Sequence, residues 1–140
     1  MTPVQRYLPW ALSIYIALIF FQSLFFKFTT APESIHIFQT IEDWIGLPFF
    51  EPGLRYLIGV AELIFGILVL IPATRIFGAI GALGVISGAI FFHVASPLGI
   101  VVQGDPTLFI LAVGVFLSSL GLLYLLRDQF EDLLKDIGLR

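Results

Sequence analysis

The chain is 140 residues long, 59% hydrophobic and only 12% charged, with a mean hydropathy of +1.03, values that exclude an ordinary soluble domain and place it among integral membrane proteins. A net charge of −3 without any basic run excludes nucleic acid as a partner, because phosphate binding needs clustered Lys and Arg. The absence of cysteine removes disulfide exchange, thiolate catalysis and cysteine-ligated metal clusters.

Four stretches, 8–28, 54–71, 76–95 and 108–126, are each long enough to cross a bilayer core, which takes about 20 residues at the helical rise. The apolar run that follows Arg6 is too long for a secretory leader and lacks a small-residue cleavage site, so a retained first span is expected. Pro9 suits the first turn of that span, Pro72 closes the second, Pro97 closes the third, and Asp105-Pro106 opens the fourth as a cap followed by a helix-starting proline. The short link 72–75 makes an antiparallel hairpin of spans two and three. Because every backbone polar group in lipid must be satisfied internally, the expected fold is all-α: an integral membrane four-helix antiparallel bundle forming one membrane domain over 1–140.

Four spans put both termini on one side, together with the link between spans two and three. That side carries Arg6, Arg75, Arg127, Lys135 and Arg140 against Lys27 and Arg55 on the other, and five against two places both termini in the cytoplasm.

The connection 29–53 has internal pattern. Thr30-Ala31-Pro32-Glu33 reads as a capping box with proline in the first turn, opening a short amphipathic helix over about 31–45, whose Ile35, Phe38, Ile41 and Ile45 recur at helical spacing. Gly46 and Pro48 end it, and Trp44, Phe49 and Phe50 fit the headgroup level, so the helix is expected to lie across the outer mouth of the bundle. It is either a lid or, more plainly, a structural cap over apolar helix ends. The tail 127–140 is also amphipathic, with Phe130, Leu133, Leu134 and Ile137 on one face. Its polar face reads as solvated, with partner docking the sharper alternative. In the third span, Gly78, Gly81, Gly84 and Gly88 point to close helix packing; no strand and crossover context supports a nucleotide fingerprint.

Glu62 lies in the middle of the second span, and an ionisable group in hydrocarbon marks a site or a pathway by default. Gly59 and Gly66 stand one turn away on each side, which puts the carboxyl on the helix-packing face. Counting helical rise from the outer ends, Lys27, Gln22, Glu62 and His93 all fall in the outer half of the membrane, joined by Gln103, Asp105, His36 and Glu33 from the outer connections. The cytoplasmic half offers little beyond hydroxyls such as Ser13 and Tyr15. An outward-opening polar pocket follows.

Glu62, His93 and Lys27 are its catalytic candidates, and Gln22, Gln103, Asp105 and His36 its ligand-binding ones. Plainer roles stand beside these. Lys27 either snorkels to the headgroups or turns inward to pair with Glu62; His93 either binds a loop carbonyl or handles ligand and protons; Asp105 is first of all a helix cap. Two histidines, His36 and His93, without a supporting pattern do not make a metal or haem site, so no metal is expected.

Gln22-Ser23-Leu24-Phe25-Phe26-Lys27-Phe28, Gly59-Val60-Ala61-Glu62, Leu70-Ile71-Pro72, Ser87-Gly88-Ala89-Ile90-Phe91-Phe92-His93, Leu98-Gly99-Ile100 and Gln103-Gly104-Asp105, in this order and spacing, resemble the DoxX-like family of small four-helix membrane proteins along nearly the whole chain. Members are named after subunits of quinone-linked oxidation, including a thiosulfate to quinone oxidoreductase, and others look like membrane anchors or assembly factors. The resemblance implies a multi-pass bacterial inner-membrane protein in which Lys27, Glu62 and His93 match the family pattern. It implies a quinone as cofactor or ligand, and a redox partner subunit or homo-oligomer in the bilayer. Whether the chain is itself an enzyme is left open by the resemblance, since no flavin, haem or thiol motif supplies an electron carrier. The alternatives are a non-catalytic anchor or assembly factor, and a small-solute or proton pathway.

Overall fold

The computed structural model describes residues 2–102 and 104–138. Among these, six α-helices and no strand are present: α1 (Pro3–Phe28), α2 (Pro32–Ile45), α3 (Arg55–Leu70), α4 (Arg75–Ala95), α5 (Thr107–Leu125) and α6 (Arg127–Asp136). A π-helical turn, Phe50–Leu54, leads into α3. Four helical runs are long and apolar enough to cross a membrane, the second being Phe50–Leu70 with its π turn. The α1–α3, α3–α4, α4–α5 and α5–α1 pairs close these helices into a ring, with α2 across one end. We call this the α2 end and the opposite one the terminal end.

Helix α1 begins five residues earlier than its apolar pattern, because Thr2 and Gln5 form a capping box. The Thr2 hydroxyl accepts from the Gln5 N–H at 3.2 Å, and the Gln5 side chain accepts from the Thr2 N–H at 3.0 Å. Pro9 therefore lies inside the helix and not in its first turn. At the start of α2 the reverse correction applies. Pro32 occupies the first turn as expected, but the preceding Ala31 is the cap residue and Thr30, at φ +54°, does not cap, so the expected Thr30–Glu33 box does not form. Gly46 ends α2 in the left-handed conformation at φ +83°. The tail helix stops at Asp136, leaving Ile137 exposed beyond it. Arg140 lies outside the described residues.

Lipid tails are as apolar as leucine, so helix association in a membrane depends on close packing of small residues. In the terminal half the ring follows this rule. A Cβ on Gly78 would strike the Val69 backbone, and one on Gly81 the Phe65 ring, which fastens α4 to α3. Gly66 receives Phe21 of α1, while Gly114 and Gly121 of α5 receive Tyr15 and Leu12; toward the α2 end Gly59 also receives Phe28. Ile16, Phe20, Val69, Val115 and Leu122 fill the centre, and Leu18, Leu57, Ile110 and Leu117 point outward as a lipid-facing surface.

Arg75 ties the α3–α4 hairpin. Its buried guanidinium donates from Nε to the Val69 carbonyl at 2.9 Å and stacks over Trp10 of α1 at 4.3 Å. At the α2 end a second cluster of Ile41, Phe50, Leu98 and Val102, with Phe92 against it, seats α2 and the α4–α5 loop on the bundle.

Candidate functional site

The ring is tight at the terminal end and hollow at the α2 end. Close glycine contacts along α4 stop at Gly81, and no atom lies within 4 Å of where a Cβ on Gly84 or Gly88 would stand. The expected close approach of another helix at Gly84 and Gly88 is thus not made. The open space in front of them adjoins a cavity of about 290 Å³ lined from five helices, Leu54 of the π turn and the loop residue Leu98.

Helix α1 presents Gln22, Ser23 and Lys27 to this cavity, and α3 presents Ile58 and Glu62. Helix α4 contributes Gly84, Gly88 and His93, with Leu108 and Leu111 of α5 opposite. Glu33, Ser34 and Phe38 of α2 form the cover. Most of the wall is apolar, with few polar groups, a composition typical of small-molecule pockets.

Lys27 turns inward. Its Nζ lies 2.9 Å from Glu62 Oε1 and donates to the Ser23 hydroxyl one turn back on the same helix. Glu62 Oε1 is buried and accepts no aligned hydrogen bond, so the contact with Lys27 is one of charge. The pair also joins α1 to α3. Arg55 strengthens the join: its Nη1 donates to the Lys27 carbonyl, freed at the end of α1, and its Nη2 lies 2.9 Å from Glu51. Arg55 is only 2% exposed and stacks on Tyr56 at 4.5 Å. The sequence marked it merely as a charge on the outer side.

His93 binds a loop carbonyl, its plainer reading. Nδ1 lies 2.8 Å from the Gly99 carbonyl, and since a carbonyl only accepts, Nδ1 carries a proton. The ring, buried and edge-on to Phe109, lines the cavity, and Nε2 has no described partner.

The sequence candidates divide. Lys27, Glu62, His93 and Gln22 line one cavity, while His36 is exposed on α2 and Asp105 is exposed in the α4–α5 loop, neither lining it. Pro106, not Asp105, is the cap residue of α5, which starts at Thr107; Asp105 accepts the Thr107 N–H at 2.9 Å from the preceding loop, and Thr107, by hydroxyl and then N–H, holds its carboxyl below its ordinary range. Gln103 lies outside the described residues. Ser23 was missed, although its spacing of four from Lys27 on one helix already placed it on the same face. No group of three or more His, Cys, Asp and Glu that could hold a metal ion occurs among the described residues.

A model of the DoxX-like family matches residues 11–122, a stretch that contains the cavity's walls on α1, α3, α4 and α5 and the covering helix α2. The chain belongs to the DoxX-like family. No curated protein and no solved structure matches it. It is a multi-pass membrane protein whose four apolar helices require a lipid bilayer. Several of the segments that carry the resemblance contribute to the cavity, through Ser23 and Lys27, Glu62, Gly88 and His93, whereas 70–72 and Asp105 do not.

Proposed function

We propose that this DoxX-like protein binds a small amphipathic ring compound, most simply a quinone or quinol, in the cavity at the α2 end, as the membrane subunit of an oxidoreductase system in the bacterial inner membrane. The α2 end faces outward and both termini face the cytoplasm in this reading, in accord with the Lys and Arg balance. The observation that carries it is the placement of Glu62, Lys27 and His93 around one largely apolar space. A buried carboxylate oxygen, Glu62 Oε1, without an aligned hydrogen bond suits a hydroxyl donor, and the imidazole of His93 suits a second polar group of a ring.

Bound there, a quinone supplies two-electron, two-proton chemistry. The chain's own residues orient the ring and exclude water, with Glu62 and His93 exchanging its protons and Lys27 holding the charge of Glu62. Electrons pass to or from a partner subunit, since this cysteine-free chain offers no carrier. The test is to purify the protein in mild detergent beside Glu62→Gln and extract both for mass spectrometry. Stoichiometric quinone in the wild type, lost from an equally stable variant, is the expected result. Empty preparations of both proteins whose melting temperature does not respond to added quinol overturn the reading.

A second reading, an anchor or assembly factor, is favoured by the double fastening of Lys27 to α3, through Glu62 and through Arg55. It expects Glu62→Gln to lower the melting temperature and leave association with a partner protein as the function to measure.

A further inference from the structure

Successive contacts between α3 and α4 run toward the α2 end as Val69 with Gly78, then Phe65 with Gly81. Three residues further along each helix stand Glu62 and Gly84, which places the open glycine at the depth of the carboxylate. Nothing occupies the space in front of Gly84 or Gly88, and Gly84 is exposed although it also lines the cavity. The face of α4 that meets α3 at Gly78 and Gly81 is thus uncovered at Gly84, beside the hollow. Ile58 of α3 also lines the hollow.

Volume supplies the second constraint. Pockets that enclose drug-sized ligands run from about 300 to 1,000 Å³, so a cavity of about 290 Å³ encloses a ring and a few substituents but not a long chain as well. Glu62, buried at 4% exposure and without an aligned hydrogen bond at Oε1, fixes where the polar head must lie.

We infer that the gap between α3 and α4 at Gly84 and Gly88 is a lateral portal to the bilayer, through which the hydrocarbon tail of a ring-headed lipid passes while its head is held at Glu62. The ligand class is thus narrowed to molecules that arrive from the membrane: one polar ring with one long apolar chain. Glycine is needed in the portal because any side chain there would project into the path of the tail. The inference rests on the ring-compound reading above for its head group, and on the α3–α4 geometry for its tail.

The test compares a tail-less dimethoxy-methyl-benzoquinol with its decyl-bearing form, bound to wild type and to Gly84→Leu/Gly88→Leu in nanodiscs. The wild type is expected to prefer the tailed probe by about tenfold or more, a scale that a few methylenes in a fitted channel can set. The variant should lose that preference while keeping its melting temperature, since both positions have room. An unchanged preference in a folded variant overturns the portal and leaves the ring-compound reading standing. Binding of neither probe to wild type overturns the quinol head group; the portal is then judged by photocrosslinking with a fatty acid bearing a diazirine in its chain. Crosslinks at Glu62 or Ala89 that vanish in the double variant support it, and crosslinks confined to outward residues such as Leu57 and Val60 overturn it.

Discussion

Lys27 Nζ lies 2.9 Å from Glu62 Oε1 across the α1–α3 interface, and the two side chains differ in access: 12% exposed for Lys27 and 6% for Glu62. Losing the partner therefore has unequal consequences. Lys27→Met strands the more buried charge and is expected to cost about 3–5 kcal/mol, the range for breaking a buried pair. Glu62→Gln retains an oxygen near the ammonium, which can also reach the mouth on its long stem, so about 1 kcal/mol or less is expected. Thermal unfolding of both single variants and the double variant in detergent checks this. The double variant should be more stable than Lys27→Met alone.

Two glycines on one helix should respond in opposite ways. Gly78→Ala puts a methyl against the Val69 backbone, which cannot yield as a side chain would, and is expected to destabilise by about 1–3 kcal/mol. Gly84→Ala meets open space and gains helix propensity, so its melting temperature should match or exceed that of wild type. Equal losses at both positions would contradict the packed setting of Gly78 and the open setting of Gly84.

Arg75→Lys should not behave as a conservative change. Lysine retains the charge but loses the planar group that stacks on Trp10 while donating to the Val69 carbonyl. A loss of about 1.5–3 kcal/mol is expected, typical of a hydrogen bond to a charged group. A lysine variant as stable as the wild type would show that the charge alone closes the hairpin.

Asp105 gives a local pH dependence with a definite sign. Its folded value is depressed by Thr107, so the ionised carboxylate stabilises the turn into α5 above the ordinary carboxyl range, and that contribution is lost as pH falls through the lower folded value. Relative to the intrinsic rate of an unprotected amide, hydrogen exchange at Thr107 should therefore accelerate below about pH 4 in wild type. Asp105→Asn, whose side-chain oxygen still accepts but does not titrate, should abolish that acceleration.

The number of spans, their order, the covering helix and the depth of Glu62 followed from apolar run length, proline and glycine punctuation, and helical rise. These are local properties of the chain in a medium that forbids unpaired backbone. Helix starts were less legible: Thr2-Pro3-Val4-Gln5 was a readable capping box that the apolar pattern overshadowed, whereas Thr30 offered the same signature and the chain turned before using it.

Sequence by itself thus determined that a buried carboxylate, a lysine and a histidine share one half of a helical membrane bundle. Only the tertiary structure decided that Lys27 turns inward to Glu62, that His36 and Asp105 stay outside the cavity, and that Gly78 packs while Gly84 opens. The physical reason lies in the spacing of the facing helices: α4 meets α3 at Gly78 and Gly81 and meets nothing at Gly84. Helical periodicity fixes which face a residue occupies, but the distance to the facing helix depends on how both axes are inclined, and that inclination is set by contacts along the whole bundle.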